Sequence, residues 1–456
     1  MSEHCTLRTQ KRRRAAFALV ALMTGSASLP LVTAIASAQE ADAGLSPRLV
    51  LARVYAEARS ANPRAQAAQA LARAADARVP GTRVPPDPQI QLGFMNYSLS
   101  NFRPMDPLGM TQLQLMQMVP VAGKLRLAGR VARSQADAAR FRASDVEWEI
   151  RAKVAEAFYD LYAADQQLVI AQETLRLLQD IASIANSMYE VGEGRQTDVL
   201  RAQVEIARMS EDITRMRTMR AAAAARLSAL LNQSASSVVE SPALPAFPMQ
   251  APSVDSLIAR ALLTRPMIRA GLQELAAAEN ASSLARREIW PDLQIGVQYG
   301  QRGAEMGTER MGSLMIGASV PIFATSRQLR MREEAGAMQA MATADLDAMR
   351  ADTRGRISET VANLTRARNL TALYRGTIIP QAEATVSSAL AAYRVGRVDF
   401  MTLLDNRMAV NQYRQELVTL NAEQGMAWAE LEMLLGYELF DASQIAPPDG
   451  GDGGER

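Results

Sequence analysis

One stretch of this chain occurs twice, and a duplicated chain folds as a repeat or as two similar halves. Tyr189–Gln203, YEVGEGRQTDVLRAQ, returns as Tyr393–Arg407, YRVGRVDFMTLLDNR. A shift of 204 positions superimposes Tyr189 on Tyr393, Val191 on Val395, Gly192 on Gly396 and Leu200 on Leu404. Other landmarks recur at nearly the same offset. Asn62-Pro63 matches Arg265-Pro266, and Val119-Pro120-Val121 matches Val320-Pro321-Ile322. The apolar heptad Val154, Leu161, Leu168, Leu175 matches Ile357, Leu364, Thr371, Ile378. Each Tyr-x-Val-Gly stretch lies between long segments of helical spacing. Each therefore reads as a glycine-containing turn joining two antiparallel helices.

The order helix, strand, strand, long helix, turn, helix is written twice, over about 45–235 and 253–440, with a Ser- and Pro-bearing linker, Asn232–Pro252, between. Helical spacing over Leu45–Ala77 is interrupted at Asn62-Pro63, and Val79–Pro88, with Pro80, Pro85, Pro86 and Pro88, cannot be helix. Strands are expected at about 88–100, 110–120, 292–301 and 311–322, with a Gly-rich loop Gly300–Gly312 between the last two. Met116, Met118 and Val119 break the alternation of the second, which predicts a twist or bulge before Pro120. Lys124–Met188 has no proline and keeps the heptad, so it reads as a coiled-coil helix ~90 Å long. The turns fall at about 189–197 and 393–402, and Pro380 is expected to bend or break the second long helix. Residues 441–456 read as a disordered tail.

Aromatic residues are only 5% of the chain and alanine is abundant, which suits close-packed helices. The net charge of +2 makes no electrostatic case for nucleic acid. Lys11 to Arg14, the apolar run Ala15–Met23 and Ala36-Ser37-Ala38 form the three parts of a secretory signal peptide over residues 1–38. Pro30 interrupts that region, which argues against a membrane anchor. His4 and Cys5 are the only histidine and cysteine, so cleavage after Ala38 would remove both. Disulfides, thiol nucleophiles, His-based triads, ordinary zinc sites and an acylated N-terminal cysteine would go with them. No cofactor and no enzymatic activity are expected.

Strands of about ten residues match a transmembrane β-strand, and their faces alternate apolar residues with Gln, Gly or Ser. Four such strands cannot close, and open edges are not tolerated in hydrocarbon. Several copies each contributing four strands would solve this, and three copies give twelve, an even number within the usual range. The same symmetry would gather four helices per chain into a twelve-helix tube.

The signal peptide, the duplicated plan, Val-Pro-Val-Ala-Gly-Lys at 119–124 and the two Tyr-x-Val-Gly turns resemble the TolC family of outer-membrane efflux ducts. The resemblance covers essentially the whole chain after residue 38. It implies an α+β membrane protein, a homotrimer with a 12-stranded β-barrel in the outer-membrane lipid and a 12-helix α-barrel in the periplasm of a Gram-negative bacterium. It also implies docking to a periplasmic adaptor and an inner-membrane pump of the resistance-nodulation-division type. The Pro-Val-Ala-Gly-Lys signature is similar to the branch that exports heavy-metal cations. A periplasmic coiled-coil scaffold or adaptor without a barrel, and a type I secretion duct, are the alternatives.

Under that resemblance, Val191, Gly192, Gly194, Val395 and Gly396 fall at the periplasmic tips where an adaptor engages, although any helix end uses such glycines. Asp405 matches a position where acidic residues narrow the pore, and Thr402, one turn earlier, departs from the acidic pattern. Asp405 reads equally as a solvated or salt-bridged helix face. Met105, Met110, Met116, Met118, Met306, Met311 and Met315 cluster near the strands, and their thioethers suit soft ions or plain packing. Ala122-Gly123-Lys124 is no phosphate loop, since Met118 stands where that motif needs glycine. Glu147, Glu149, Glu333 and Glu334 read as solvated helix faces.

Overall fold

Asn62 and Pro63 begin the architecture. Proline at the first helical position lacks an N–H that would be unpaired anyway, and Asn62 accepts from Arg64 N at 2.9 Å as the cap. The break separates α1 (Leu51–Ala61) from α2 (Pro63–Gly81). Arg265-Pro266 repeats it between α5 (Val254–Thr264) and α6 (Pro266–Arg287). In this computed structural model the described residues are 48–446, apart from 106–108, 235–238, 249, 251 and 305–306. The expected signal peptide and residues 447–456 lie outside them.

Between these helices run β1 (Gln89–Met95), β2 (Met110–Val119), α3 (Lys124–Glu190) and α4 (Gln196–Leu230). The second half continues with β3 (Asp292–Ala304), β4 (Gly307–Ser319) and α7 (Gln328–Leu373). A π-helical turn, Tyr374–Ile378, leads to α8 (Ile379–Arg394), and α9 (Phe400–Leu435) completes the described helices. The strands form one antiparallel sheet in the order β1-β2-β3-β4. At 67 residues α3 is ~100 Å long. It packs on α2 and α6 toward the sheet and on α4 and α9 toward the turns.

The core shows the duplication directly. Val54, Ala58, Val154 and Leu161 are buried in one cluster, and their partners 203 positions on, Leu257, Ala261, Ile357 and Leu364, are buried in another. A third cluster, with Leu178, Ile181, Met209, Phe400 and Leu403, fills the hairpins nearer the turns. The halves are pinned at the sheet by the buried Lys124. Its ammonium donates to Trp290 O and Asp292 Oδ1, both at 2.9 Å, with Glu288 at 3.5 Å. Next to Lys124, Gly123 has φ 72° and carries the chain into α3.

Several local expectations are corrected. Helix α2 runs through Pro80 to Gly81, because Val79 packs on Ala132 and Ala136 of α3 and only one interior hydrogen bond is lost. The first strand stops at Met95, where Asn96 turns to φ 54°, well short of residue 100. No bulge interrupts β2, whose register with β3 is unbroken from Met110↔Arg302 to Val119↔Leu293. Met116 stays in register because it lies over Gly296, which has no Cβ to displace it. The expected loop Gly300–Gly312 is largely ladder, closed near its end by the Arg302–Glu309 ion pair at 2.6 Å. At Pro380 the expected local break is a π turn between α7 and α8, with no gap in the helical backbone. The preceding turn widens to π geometry, with Ile379 N bonding Tyr374 O, which relieves the clash a proline ring makes with the carbonyl four residues back. Residues 441–446, expected in the tail, are ordered. Ala442 is buried, and Ala446 N donates to Leu244 O at 2.9 Å, so this end of the chain and the linker bridge the two repeats.

Two expected outcomes follow. Gly425 faces the Tyr159 ring, and a Cβ there would lie 2.2 Å from Cζ. Gly425→Ala therefore destabilises the protein by about 1–3 kcal/mol in urea unfolding of the detergent-solubilised chain. Gly355→Ala, with open space at its Cβ, does not destabilise it. Burial pushes the Glu432 carboxyl above its ordinary 4.5, although Arg151 Nε at 3.1 Å pulls it down. A carboxyl raised by folding contributes most below its ordinary value, and that contribution is lost as pH rises through the raised one. Unfolding midpoints measured against pH should show this loss in the wild type and not in Glu432→Gln.

Candidate functional site

The sheet has two chemically different faces, and the register assigns every strand residue to one of them. One face carries Ile90, Leu92 and Phe94 of β1, Leu113, Leu115 and Val119 of β2, Leu293, Ile295, Val297 and Tyr299 of β3, and Leu314, Ile316 and Ala318 of β4. All of these but the half-buried Val119 are exposed where a soluble protein would bury them: Ile90 by 72% and Ile316 by 74%. Gln117 interrupts this face, and its amide donates to Pro86 O at 2.7 Å. The other face carries Gln91, Gln112, Gln114, Gln298 and Ser313, with Met110, Met116, Met311 and Met315 seated on or beside Gly296 and Gly300. Within the chain β1 and β4 are the sheet's outer strands, each paired on one side only.

Aromatic side chains mark both ends of the apolar face. At the loop end, Phe94 packs edge-on against Tyr97 and Phe102, with ring centroids 5.3 and 5.2 Å apart. Where the sheet meets the helices, Trp290, Val320, Ile322 and Phe323 are exposed. An apolar band between aromatic girdles is the pattern of a strand-built membrane span. No described helix is long and apolar enough to cross a membrane.

At the far end of α3 the two predicted turns share a geometry. Gly192 has φ 79° and Gly396 has φ 68°, with nothing within 4 Å of a Cβ on either. Glu193 N donates to Met188 O, and Arg397 N donates to Ala392 O, both at 2.9 Å, the six-to-one bond of a Schellman cap. Val191 and Val395 are exposed beside these glycines. Gly194 is required for a second reason: a Cβ there would lie 2.8 Å from Tyr189 N. The repeat has no glycine at the matching position, which is Val398.

Asp405 and Thr402 lie one turn apart on the exposed side of α9. Thr402 is committed locally, its backbone N–H and hydroxyl both donating to Asp399, the cap of α9. Those bonds hold the Asp399 carboxyl below its ordinary range. Asp405 has no ion-pair partner among the described residues.

The neighbourhood holds groups that sequence reasoning missed. Arg414 ties α9 to Glu383 of α8, Nε at 3.0 Å, and to Glu173 of α3 at 3.5 Å. Arg407 is buried below it, with Nε unpaired, and burial, then Arg414, lowers its pKa. Its place inside the second Tyr-x-Val-Gly copy was the available signal. Beside the turns, Leu200, Val204, Met401 and Leu404 line a cleft of about 310 Å³ flanked by Arg201, Glu205 and Arg208. Glu147, Glu149 and Glu333 each face an arginine, at 3.9, 2.7 and 2.6 Å. Met306 lies outside the described residues.

The sequence model for the family described as outer membrane efflux protein matches residues 54–233 and 257–437, the two repeats separately. The chain is 25% identical over 323 residues, 69% of its length and 67% of the relative's, to the pyoverdine export outer membrane protein OpmQ of Pseudomonas putida. It is 22% identical over 330 residues, 70% of its length and 75% of the relative's, to the cobalt-zinc-cadmium resistance protein CzcC of Cupriavidus metallidurans. Its fold matches the outer membrane protein VceC of Vibrio cholerae with a TM-score of 0.73 at 18% identity, over 86% of this chain and 97% of that one.

The two faces make a direct test possible. Ile316→Arg puts a charge on the apolar face at a cost of about 2–4 kcal/mol per chain, enough to deplete the protein from the outer-membrane fraction. Gln298→Arg, on the opposite face, leaves fractionation and heat-modifiable mobility unchanged.

Proposed function

The chain belongs to the outer membrane efflux protein family, and we propose that it works as a passive homotrimeric export duct. Three copies would pair β4 of one with β1 of the next and close a 12-stranded barrel, leaving no strand edge in lipid. The observation that carries this reading is the sheet itself, with one exposed apolar face, one Gln- and Met-bearing face and two unpaired edges. The exposed Leu71 of α2 and Met338 and Met341 of α7 supply apolar surface for the matching helix contacts between copies. The helices would then form the periplasmic tube, with the two turns at its mouth.

In this arrangement the periplasmic adaptor engages the tips at Val191, Gly192, Gly194, Val395 and Gly396, and an inner-membrane pump supplies the energy. Asp405 faces the pore and attracts cations as it narrows, while Thr402 serves the cap and adds no charge. The finer reading of the cargo is heavy-metal cations, supported by the Pro-Val-Ala-Gly-Lys stretch and the likeness to CzcC. The comparable likeness to OpmQ is why the cargo needs an experiment.

Single-channel recording in a planar bilayer tests the pore. Asp405→Arg should lower cation preference or change conductance, and an unchanged channel sinks the pore-facing assignment. Deletion of the gene, followed by a panel of metals, dyes, bile salts and antibiotics, tests the cargo. Sensitivity confined to Cu, Ag, Zn, Co or Cd supports the metal branch, and broad drug sensitivity without a metal phenotype refutes it. A chain that never fractionates with the outer membrane would instead be a periplasmic scaffold.

A further inference from the structure

At the level where the helices meet the sheet, arginines gather without acids to balance them. A Cβ built on Gly123 would lie 3.7 Å from both Arg126 Nη2 and Arg287 Nη1, so the two guanidinium groups share one small volume. Nearly two turns further along α3, the buried Gly129 lets Arg83 cross the helix: a Cβ there would come 2.6 Å from Arg83 Cγ. Arg83, Arg126 and Arg130, with Pro120, Gly123 and Leu125, line an open cleft of about 640 Å³. Arg83, Arg126 and Arg130 have no ion-pair partner among the described residues. The nearby carboxylates Glu288 and Asp292 are taken by the buried Lys124 at 3.5 and 2.9 Å, and Arg287 gives one donor to Ala122 O at 2.6 Å.

Like charges gathered around one cleft repel, and an anion between them relieves that repulsion. The position of the cleft identifies the anion. It opens just past the end of β2, level with the exposed Trp290, Val320, Ile322 and Phe323 that end the apolar band. That is the depth at which a bilayer places its phosphates, and planar guanidinium groups bind phosphate oxygens in pairs. Leu125 and the aromatic belt supply apolar surface for the first carbons of an acyl chain, which a free ion would not use. We propose that this cleft binds the phosphate of an anionic phospholipid in the leaflet on the helix side of the membrane. The proposal rests on the reading that the sheet spans that membrane. The bound headgroup fixes the depth of the protein at its helix-to-sheet junction.

The full-length protein, purified in detergent, is first checked for heat-modifiable mobility, since its absence fails the duct reading before lipid is added. Native mass spectrometry then counts bound lipid with phosphatidylglycerol, phosphatidylcholine or inorganic phosphate supplied. Phosphatidylglycerol should be retained in preference to phosphatidylcholine, and inorganic phosphate at equal concentration should not displace it. Retention should weaken about fivefold for each of Arg83, Arg126 and Arg130 changed to Gln, singly and in the triple variant. Arg208→Gln, near the turns, should retain lipid like the wild type. If the triple variant does not assemble, Arg130→Gln alone gives the readout. An assembled wild type without preference for phosphatidylglycerol overturns the proposal, as it would if a neighbouring copy's carboxylates filled the cleft. So does displacement by inorganic phosphate, or arginine variants that bind as well as the wild type.

Discussion

A β-strand with an open edge carries backbone N–H and C=O groups that must bond to something, and this constraint governs the rest of the molecule. The outer edges of β1 and β4 have no partner within the chain. Water could satisfy them if the sheet were wet on both sides, but one face is apolar over the middle of all four strands, interrupted only by Gln117. A sheet that excludes water from one face and leaves its edges unpaired is unfinished as a single chain. In the proposed duct, copies of the chain would satisfy it, and the duplication suits that, since each half brings one strand pair and one set of helices in the same order.

The helices depend on one continuous element. Helix α3 runs from the sheet to the far turn and contacts α2, α4, α6 and α9 on the way. Two features let it serve both repeats. Gly425 removes a side chain so that Tyr159 of α3 can lie against α9. Lys124, at its first residue, reaches across to Trp290 and Asp292, so the first repeat's helix begins on the second repeat's strand. A buried ammonium would be costly alone, and three oxygen partners offset that cost.

What was legible in the sequence was whatever repeats or alternates. The 203-residue offset matched Val154 to Ile357 and Leu161 to Leu364, and all four are fully buried. Period two placed Ile90, Leu92, Ile295 and Ile316 on one face. What failed were rules about single residues overridden by packing. Pro80 read as a helix stop, yet Val79 is anchored on α3. Met116 and Met118 read as a bulge because apolar residues were assumed to share a face, whereas both stay in register on the amide side, Met116 over Gly296 and Met118 opposite Gln294. The turns were visible in their glycines. The Arg414 bridge to α3 and α8 was not, because its partners lie on two other helices and no spacing links them. Thr402 shows the same limit: its hydroxyl is occupied by Asp399, which only the folded cap reveals.

The amide-and-thioether side of the sheet has a consequence for anything that passes along it. Its charged residues sit at the two ends and are already neutralised, Asp292 by Lys124 and Arg302 by Glu309. Between them the wall offers glutamine, serine, glycine and methionine. Such a wall has no fixed charge with which to hold a counter-ion, so a moving ion would meet no electrostatic well and no barrier of one sign. Friction there depends on bore width and on water, with little difference between one cargo and another. On the proposed reading, sorting by charge would fall to the turn end of the helices, where Asp405 stands without an ion-pair partner among the described residues.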